Sequence, residues 1–349
     1  MELSRRDKIL KLIVDHFIKT AQPVGSKTLI EEYNIPFSSA TIRNEMQLLE
    51  QEGYLEKTHT SSGRVPSSKG YRYYIDHLRK QEVDEDLKCQ LQMVLEQKTK
   101  SIEDIIRESC EVLTHMTNLA SVVLGPDAHE ERLLSIQLIP ISDKTATAIF
   151  VTDQGYVENK TFVFEEALAP TDIEKCVKLL NDRLKGTEIS RVLGKMQNLR
   201  PILTDYVKEH DMIYQAVAQA LLRFAKDRVT LYGKDLLFEQ PEFQEDTEKI
   251  KKMLSFLDDP ANLRTFALDD NGLSIHIGDV SEGLDDVSVI QTNIDVPGHR
   301  NGSIALVGPT RMDYDRVVSA LEYVARALSE YFNKEESDEQ NGRRREKAE

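Results

Sequence analysis

Three stripes of apolar residues at helical spacing, each closed by a helix-breaking sequence, fill the first 53 residues and leave this end of the chain few ways to fold. Ile9, Leu12, Ile13 and Phe17 recur at intervals of three and four, which predicts a helix from Ser4 to Thr20. The sequence "QPVGS" then breaks it. Ser26 is the expected N-cap of a second helix over Lys27 to Tyr33, with Leu29, Ile30 and Tyr33 on one side and Asn34 and Pro36 behind it. Ser38 is placed to cap a third helix, from Ser39 to about Glu52, where Ile42, Met46 and Leu49 share a face and Gly53 supplies the stop. Tyr54 to Lys57 and Arg64 to Pro66 follow as short strands around a polar, glycine-containing connection.

Two helices joined by a tight turn and followed by a hairpin form a winged helix-turn-helix, in which the second helix of the pair enters the DNA major groove. With Ile42, Met46 and Leu49 facing the core, Ser39, Arg43 and Gln47 fall on the opposite side, and Thr41 and Asn44 lie alongside. Arginine suits guanine, and asparagine or glutamine suits adenine, so this face has the donors and acceptors that read base edges. The stretch "HTSSGRVPSSKGYRYY" runs for 16 positions without a carboxylate in a chain of 60 acidic and 45 basic residues. Lys57, Thr58, His59, Thr60, Ser61, Ser62, Arg64, Lys69 and Arg72 are accordingly expected to meet phosphate from the wing and its flank. Charge is divided in the same sense. Residues 1–80 carry 13 basic and 10 acidic side chains, whereas residues 81–349 carry 32 and 50, so a net charge of -15 conceals a basic end and an acidic remainder.

Beyond the hairpin, Arg79 to Lys88 reads as a charged linker helix, and Ile102, Ile105, Ile106, Cys110, Leu113 and Met116 line one face of an amphipathic helix. Leu133 to Ile141, Thr145 to Thr152 and Tyr156 to Phe164 are three successive strands separated by "SDK" and "DQG" turns, and the chain turns helical from Pro170 to about residue 226. A helix over Asp246 to Leu257 precedes strands at Leu273 to Ile277, Val287 to Asp295 and Gly302 to Gly308. The last helix is expected to open on a capping box at Thr310 to Asp313, and residues 336–349 are expected to form a disordered charged tail.

Apolar runs such as Ala146 to Val151 fall well short of the ~20 residues that a membrane helix needs, so no membrane partner and a cytoplasmic location are expected. Cys89, Cys110 and Cys176 suit reduced thiols better than a disulfide framework. The eight histidines have no metal-ligand spacing, and no catalytic motif is present, so neither an enzyme, a cofactor nor a metal is expected. A ligand-responsive regulator and a protein-interaction adaptor are the competing readings.

The segment "SSATIRNEMQLLEQEGYLEKTHTSSGRVPSSKGYRYYIDHL", together with "IGDV", "DDVSVI" and "GSIALVGPTRMDY", strongly resembles the bacterial heat-inducible transcription repressor family HrcA over about residues 3–335. The resemblance implies an α+β, multidomain chain. It comprises a winged-helix domain (1–78), a linker helix (79–100), a discontinuous GAF-like domain (101–125 and 226–335) and a βββ-plus-helices dimerisation domain inserted at 126–225. It further implies a homodimer on an inverted-repeat operator, CIRCE, that represses chaperone operons, is released on heat stress and is kept active by the chaperonin GroEL.

Overall fold

The computed structural model describes residues 3–57, 63–97, 101–125, 131–153, 155–167, 169–206, 210–224, 229–243, 246–266, 272–278, 280–281, 283–295 and 302–346. The N-terminal segment forms α1 (Arg5–Thr20), α2 (Ser26–Tyr33), α3 (Ser39–Gln51) and the antiparallel hairpin β1 (Leu55–Lys57) and β2 (Arg64–Pro66). Short helix α4 (Ser68–Tyr73) runs directly into a π-helical turn over Tyr74–Leu78. Gly25, and not Ser26, is the N-cap of α2, and it gives that helix no side-chain cap. The hairpin returns against α4 so closely that a Cβ on Gly70 would overlap the Tyr54 carbonyl oxygen.

The remainder builds two further layered units. Helices α5 (Glu85–Leu95) and α6 (Ile102–Thr117) lead into β3 (Ala120–Leu124), and the chain then leaves the central sheet for about a hundred residues. That excursion contains β4 (Leu133–Ser142), β5 (Thr145–Thr152), β6 (Val157–Val163), α7 (Pro170–Leu184), α8 (Ile189–Tyr206) and α9 (His210–Phe224). It returns as β7 (Val229–Tyr232), which pairs antiparallel with β3, Leu124 lying opposite Val229. The excursion thus leaves and re-enters at adjacent strands. Helices α10 (Lys234–Glu239), α11 (Thr247–Leu257) and α12 (Pro260–Arg264), strands β8 (Leu273–Ile277), β9 (Val287–Ile294) and β10 (Gly302–Pro309), and helix α13 (Tyr314–Glu346) complete the chain.

The central sheet has the order β7-β3-β10-β9-β8, with every pairing antiparallel. Alternation along β10 splits its side chains between two cores. Ile304 and Leu306 face α5, α6 and α13, while Ala305 and Val307 face the α10 to α12 side, where Leu237, Phe243, Met253 and Leu263 are buried. The first of these cores is continuous with the N-terminal segment, joining Ile13, Leu49, Tyr71 and Tyr74 to Val317, Val318 and Leu321. Helix α5 belongs to it too, through Leu87 and Leu91; it starts only at Glu85, because residues 79–84 are not helical where a linker helix from Arg79 was expected. The separate sheet β4-β5-β6 covers α7, α8 and α9 with Ile136, Ala148 and Phe150 in a core of its own. On the edge of β4, the Asn181 side chain accepts from Ile136 N at 2.8 Å and donates to Ile136 O at 2.7 Å, which closes that edge to further pairing.

Several expectations need correction. Helix α13 continues to Glu346, through most of the segment expected to be a disordered tail, and its last turns are rich in glutamate, lysine and arginine, all good helix formers. Its N-terminal cap is Asp313, which accepts from Arg316 N at 3.2 Å, so the helix opens one turn later than a Thr310 cap requires. Strands β3 and β7 were not expected. Of the cysteines, Cys110 and Cys176 are buried and Cys89 is exposed. Burial raises the Cys110 thiol and pushes Cys176 up to about 12, which leaves both as packing groups with little thiolate. Among the described residues no helix is long and apolar enough to cross a membrane.

Because Gly70 is locked against Tyr54, Gly70→Ala is expected to destabilise the chain by about 1–3 kcal/mol through overpacking. A urea denaturation curve followed by circular dichroism should show a lower midpoint at unchanged slope; an unchanged midpoint would mean that the hairpin moves away at no cost.

Candidate nucleic-acid interface

Helix α3 is pinned from inside. Ile42, Met46 and Leu49 are buried, and so is Glu45, which is only 7% exposed. A buried carboxylate is tolerable only when paired, and Glu45 accepts from Arg5 Nε at 2.9 Å and Nη2 at 2.6 Å and from Arg6 Nε at 3.4 Å. The two arginines open α1, so this cluster sets the roll of α3 about its own axis. At the N-terminus of α3 the Ser38 hydroxyl caps Thr41 N at 3.1 Å, and Ser39 Oγ meets Ser26 Oγ of α2 at 3.1 Å.

The roll leaves Arg43, Asn44 and Gln47 exposed on the outer side. Ser39 and Thr41 are half-buried, the first held to α2 and the second with its hydroxyl 2.9 Å from Ser38 Oγ. Three of the five expected base-reading residues are therefore presented outward, and two serve first to fasten the helix ends. Beside this face lies a cleft of about 630 Å3, lined by Lys27, Thr28, Arg43, Lys57 and Arg64 with Gly25 at the start of α2. The first turn of α2, which has no side-chain cap, lies on the cleft wall, and an uncapped helix N-terminus favours anions. Lys27 and Thr28 had not been singled out from the sequence; the readable signal was a glycine before a helix that opens with Ser, Lys and Thr.

The residues expected at a wing and its flank divide. Lys57 is exposed and joins Arg43 on the cleft wall. Thr58, His59, Thr60, Ser61 and Ser62 lie outside the described residues. Arg64 departs from expectation: it turns inward onto Glu50 of α3, with Nη2 2.6 Å and Nε 2.8 Å from the same carboxylate oxygen, and its side chain is 17% exposed. Its backbone adds a ladder pair with Val24, N to O at 2.8 and 2.9 Å. Arg64 therefore ties the β1–β2 hairpin to α3 and to the turn before α2, with its guanidinium paired to Glu50. Lys69 donates to Glu52 O at 2.8 Å and lies over the Tyr54 ring, closing the C-terminal end of α3. Arg72 donates to Asp76 at 3.1 Å and to Ile275 O of β8 at 3.3 Å, which directs it to the central sheet. These three cations were expected at phosphate because charge along a sequence does not reveal its partner.

Exposed polar side chains beside a cationic cleft have the chemistry to bind a nucleic-acid backbone and base edge; among the described residues no group of three or more His, Cys, Asp or Glu is arranged to hold a metal. The family model described as "HrcA protein C terminal domain" matches residues 103–318. The Heat-inducible transcription repressor HrcA of Bacillus pumilus (strain SAFR-032) is 39% identical over 335 residues, which cover 94% of this chain and 97% of that protein. The protein of the same name from Lysinibacillus sphaericus is 38% identical over 346 residues, 97% of this chain and 100% of the relative. A solved structure titled "Crystal structure of a hypothetical protein at 2.2 A resolution" has 26% identity and a TM-score of 0.62, covering 96% of this chain and 99% of its own. Family match, identity and near-complete coverage agree, and the chain belongs to the HrcA family of heat-inducible transcription repressors.

Proposed function

We propose that the chain is a dimeric repressor that binds an inverted-repeat operator of the CIRCE type through a winged helix-turn-helix made of α1 to α3 and the β1–β2 hairpin. The observation that carries this reading is the exposed row Arg43, Asn44 and Gln47 beside a cleft with Lys27 and Lys57 on its walls. In such a docking α3 lies in the major groove, Asn44 and Gln47 read base edges, and Lys27, Lys57 and the first turn of α2 hold phosphates on either side. Arg64 acts by keeping the wing in place.

A palindromic operator needs a two-fold protein. The surface that best suits a second copy is the outer face of the β4-β5-β6 sheet, where Ile139 (43% exposed), Ile141 (65%), Val157 (52%) and Val163 (81%) lie uncovered. Its β4 edge is closed by Asn181 and its β6 edge is a sheet edge, so pairing through the face or through β6 is sterically open. The five-stranded sheet with helices on both faces supports the GAF-like reading of the central body. An unpaired copy exposes the apolar face, which is the property a chaperonin captures; supply of competent repressor by the chaperonin GroEL then follows by mass action, and its occupation by unfolded proteins on heat stress withdraws that supply.

Asn44→Ala and Gln47→Ala are each expected to cost ~1–3 kcal/mol on the operator and to relax sequence preference. Lys27→Ala and Lys57→Ala should weaken all duplexes alike and lower the slope of log affinity against log salt by about 0.9 each, while Arg64→Ala should reduce affinity without changing that slope. Anisotropy titrations at several salt concentrations separate the three classes, and a slope that falls for Arg64→Ala would return that residue to the phosphate backbone. The double variant Ile141→Glu, Val163→Glu should sediment as a monomer and lose about 100-fold in operator affinity as avidity disappears; a dimer that persists would place the interface elsewhere.

A further inference from the structure

The turn between β10 and α13 reaches back to the N-terminal segment through Arg311. Its Nη1 donates to Ile18 O at 2.6 Å, and its Nε donates to Glu242 Oε1 at 2.8 Å. Ile18 lies in the last turn of α1, where carbonyls have no intrahelical partner. His16 O is taken by the Thr20 hydroxyl at 2.9 Å and Phe17 O by Ala21 N at 2.9 Å, and a guanidinium from the body serves Ile18 O. A cation is also favoured at that end of the helix dipole.

Next to this contact the fit is less complete. Tyr71 of α4 is 3% exposed, with its ring 5.3 Å from that of Tyr314. Tyr314 is satisfied, its hydroxyl lying 3.1 Å from Ser288 Oγ and donating to Thr310 O at 2.8 Å. Among the described residues, the Tyr71 hydroxyl and Glu242 Oε2 are both buried without a hydrogen-bond partner. Burial, first, and then the Tyr314 phenol hold the Tyr71 pKa above its ordinary range, so the hydroxyl stays neutral. A polar atom buried without a partner weakens the state that buries it. Elsewhere the joint is tied by Arg79, which donates to both Glu322 oxygens at 3.0 and 3.1 Å and to Ser319 at 3.2 Å, and by Lys11 at 3.7 Å from Asp315.

We propose that Arg311 is a positioning residue for operator binding: it fixes the N-terminal module on the body, and the joint it closes is the part of the structure that opens first on heating. While the joint is closed, the outer side of α3 is uncovered and its direction relative to the body is set. Once it opens, the module moves about the extended segment at 79–84, and the two modules of a dimer no longer hold the half-site spacing that an inverted repeat requires. The consequence for DNA rests on the winged-helix reading above; the opening of the joint rests on its own geometry.

The test uses the full chain in two arms. Amide exchange read by mass spectrometry without DNA, over a temperature ramp, compares residues 16–22 with strands β9 and β10; anisotropy follows binding to an inverted-repeat duplex over the same ramp. The end of α1 is expected to lose protection at a lower temperature than the strands. Arg311→Ala should lower that temperature and reduce operator affinity at a fixed temperature about 10-fold, with partial recovery in Arg311→Lys. Tyr71→Phe, which removes the unpartnered hydroxyl and keeps the ring, should raise both transitions together by about 2–4 °C. The proposal is overturned by loss of protection at the same temperature in α1 and the strands, by a Tyr71→Phe transition that stays or falls, or by tighter operator binding in Arg311→Ala. If the joint opens as described while no duplex is bound at any temperature, the joint is upheld and the DNA-binding reading fails instead.

Discussion

Burial of Ile42, Met46 and Leu49 against α1, with Glu45 locked between Arg5 and Arg6, determines which side of α3 faces outward. Everything proposed for DNA follows from that rotation. A helix has one roll angle, and once apolar residues and a paired carboxylate occupy its inner face, Arg43, Asn44 and Gln47 have only the outer one. The same helix gives Glu50 to Arg64 and its C-cap carbonyl, Glu52 O, to Lys69, so the β1–β2 hairpin and the start of α4 are tied to α3.

The apolar core that begins in α1 does not end with the N-terminal module. It passes through Tyr71 and Tyr74 into α13 and the inner face of the central sheet, which makes the module part of a larger packed unit. Its electrostatic character is nevertheless distinct: 13 basic and 10 acidic side chains in residues 1–80, against 32 and 50 in the remainder. An acidic body repels a polyanion and a mildly basic module attracts it, so DNA is favoured at one end only.

Much of this was legible in the sequence, and the failures have physical causes. The three N-terminal helices, the hairpin and the strands of the β4-β5-β6 sheet follow from apolar period and breakers, because each has one buried and one open side. Strands β3 and β7 went unseen: "ASVVL" and "VTLY" are too short to show a period, and β3 is covered on both faces. The terminal cap was placed at Thr310 because the spacing suited it, but Thr310 N is held by Asp286 O at 2.8 Å and the helix waits for Asp313. Arg43, Asn44, Gln47 and Lys57 were expected at DNA from helix geometry and regional charge, and all four are exposed. For Arg64, Lys69 and Arg72 the sequence did not show the partners Glu50, the Glu52 carbonyl and the Ile275 carbonyl, because folding alone brings these to them. Lys27 and Thr28 were overlooked because α2 reads as a supporting helix until its open first turn is seen beside the cleft.

The most direct test of the central claim is fluorescence anisotropy of the intact protein with an inverted-repeat duplex and a scrambled duplex of equal length, at two salt concentrations, with the stoichiometry determined at saturation. A two-fold repressor predicts two chains per inverted repeat and a preference over the scrambled duplex that survives the higher salt, because base contacts persist where phosphate attraction is screened. Equal binding to both duplexes that vanishes together as salt rises would contradict it, leaving the exposed row on α3 as an ordinary solvated face.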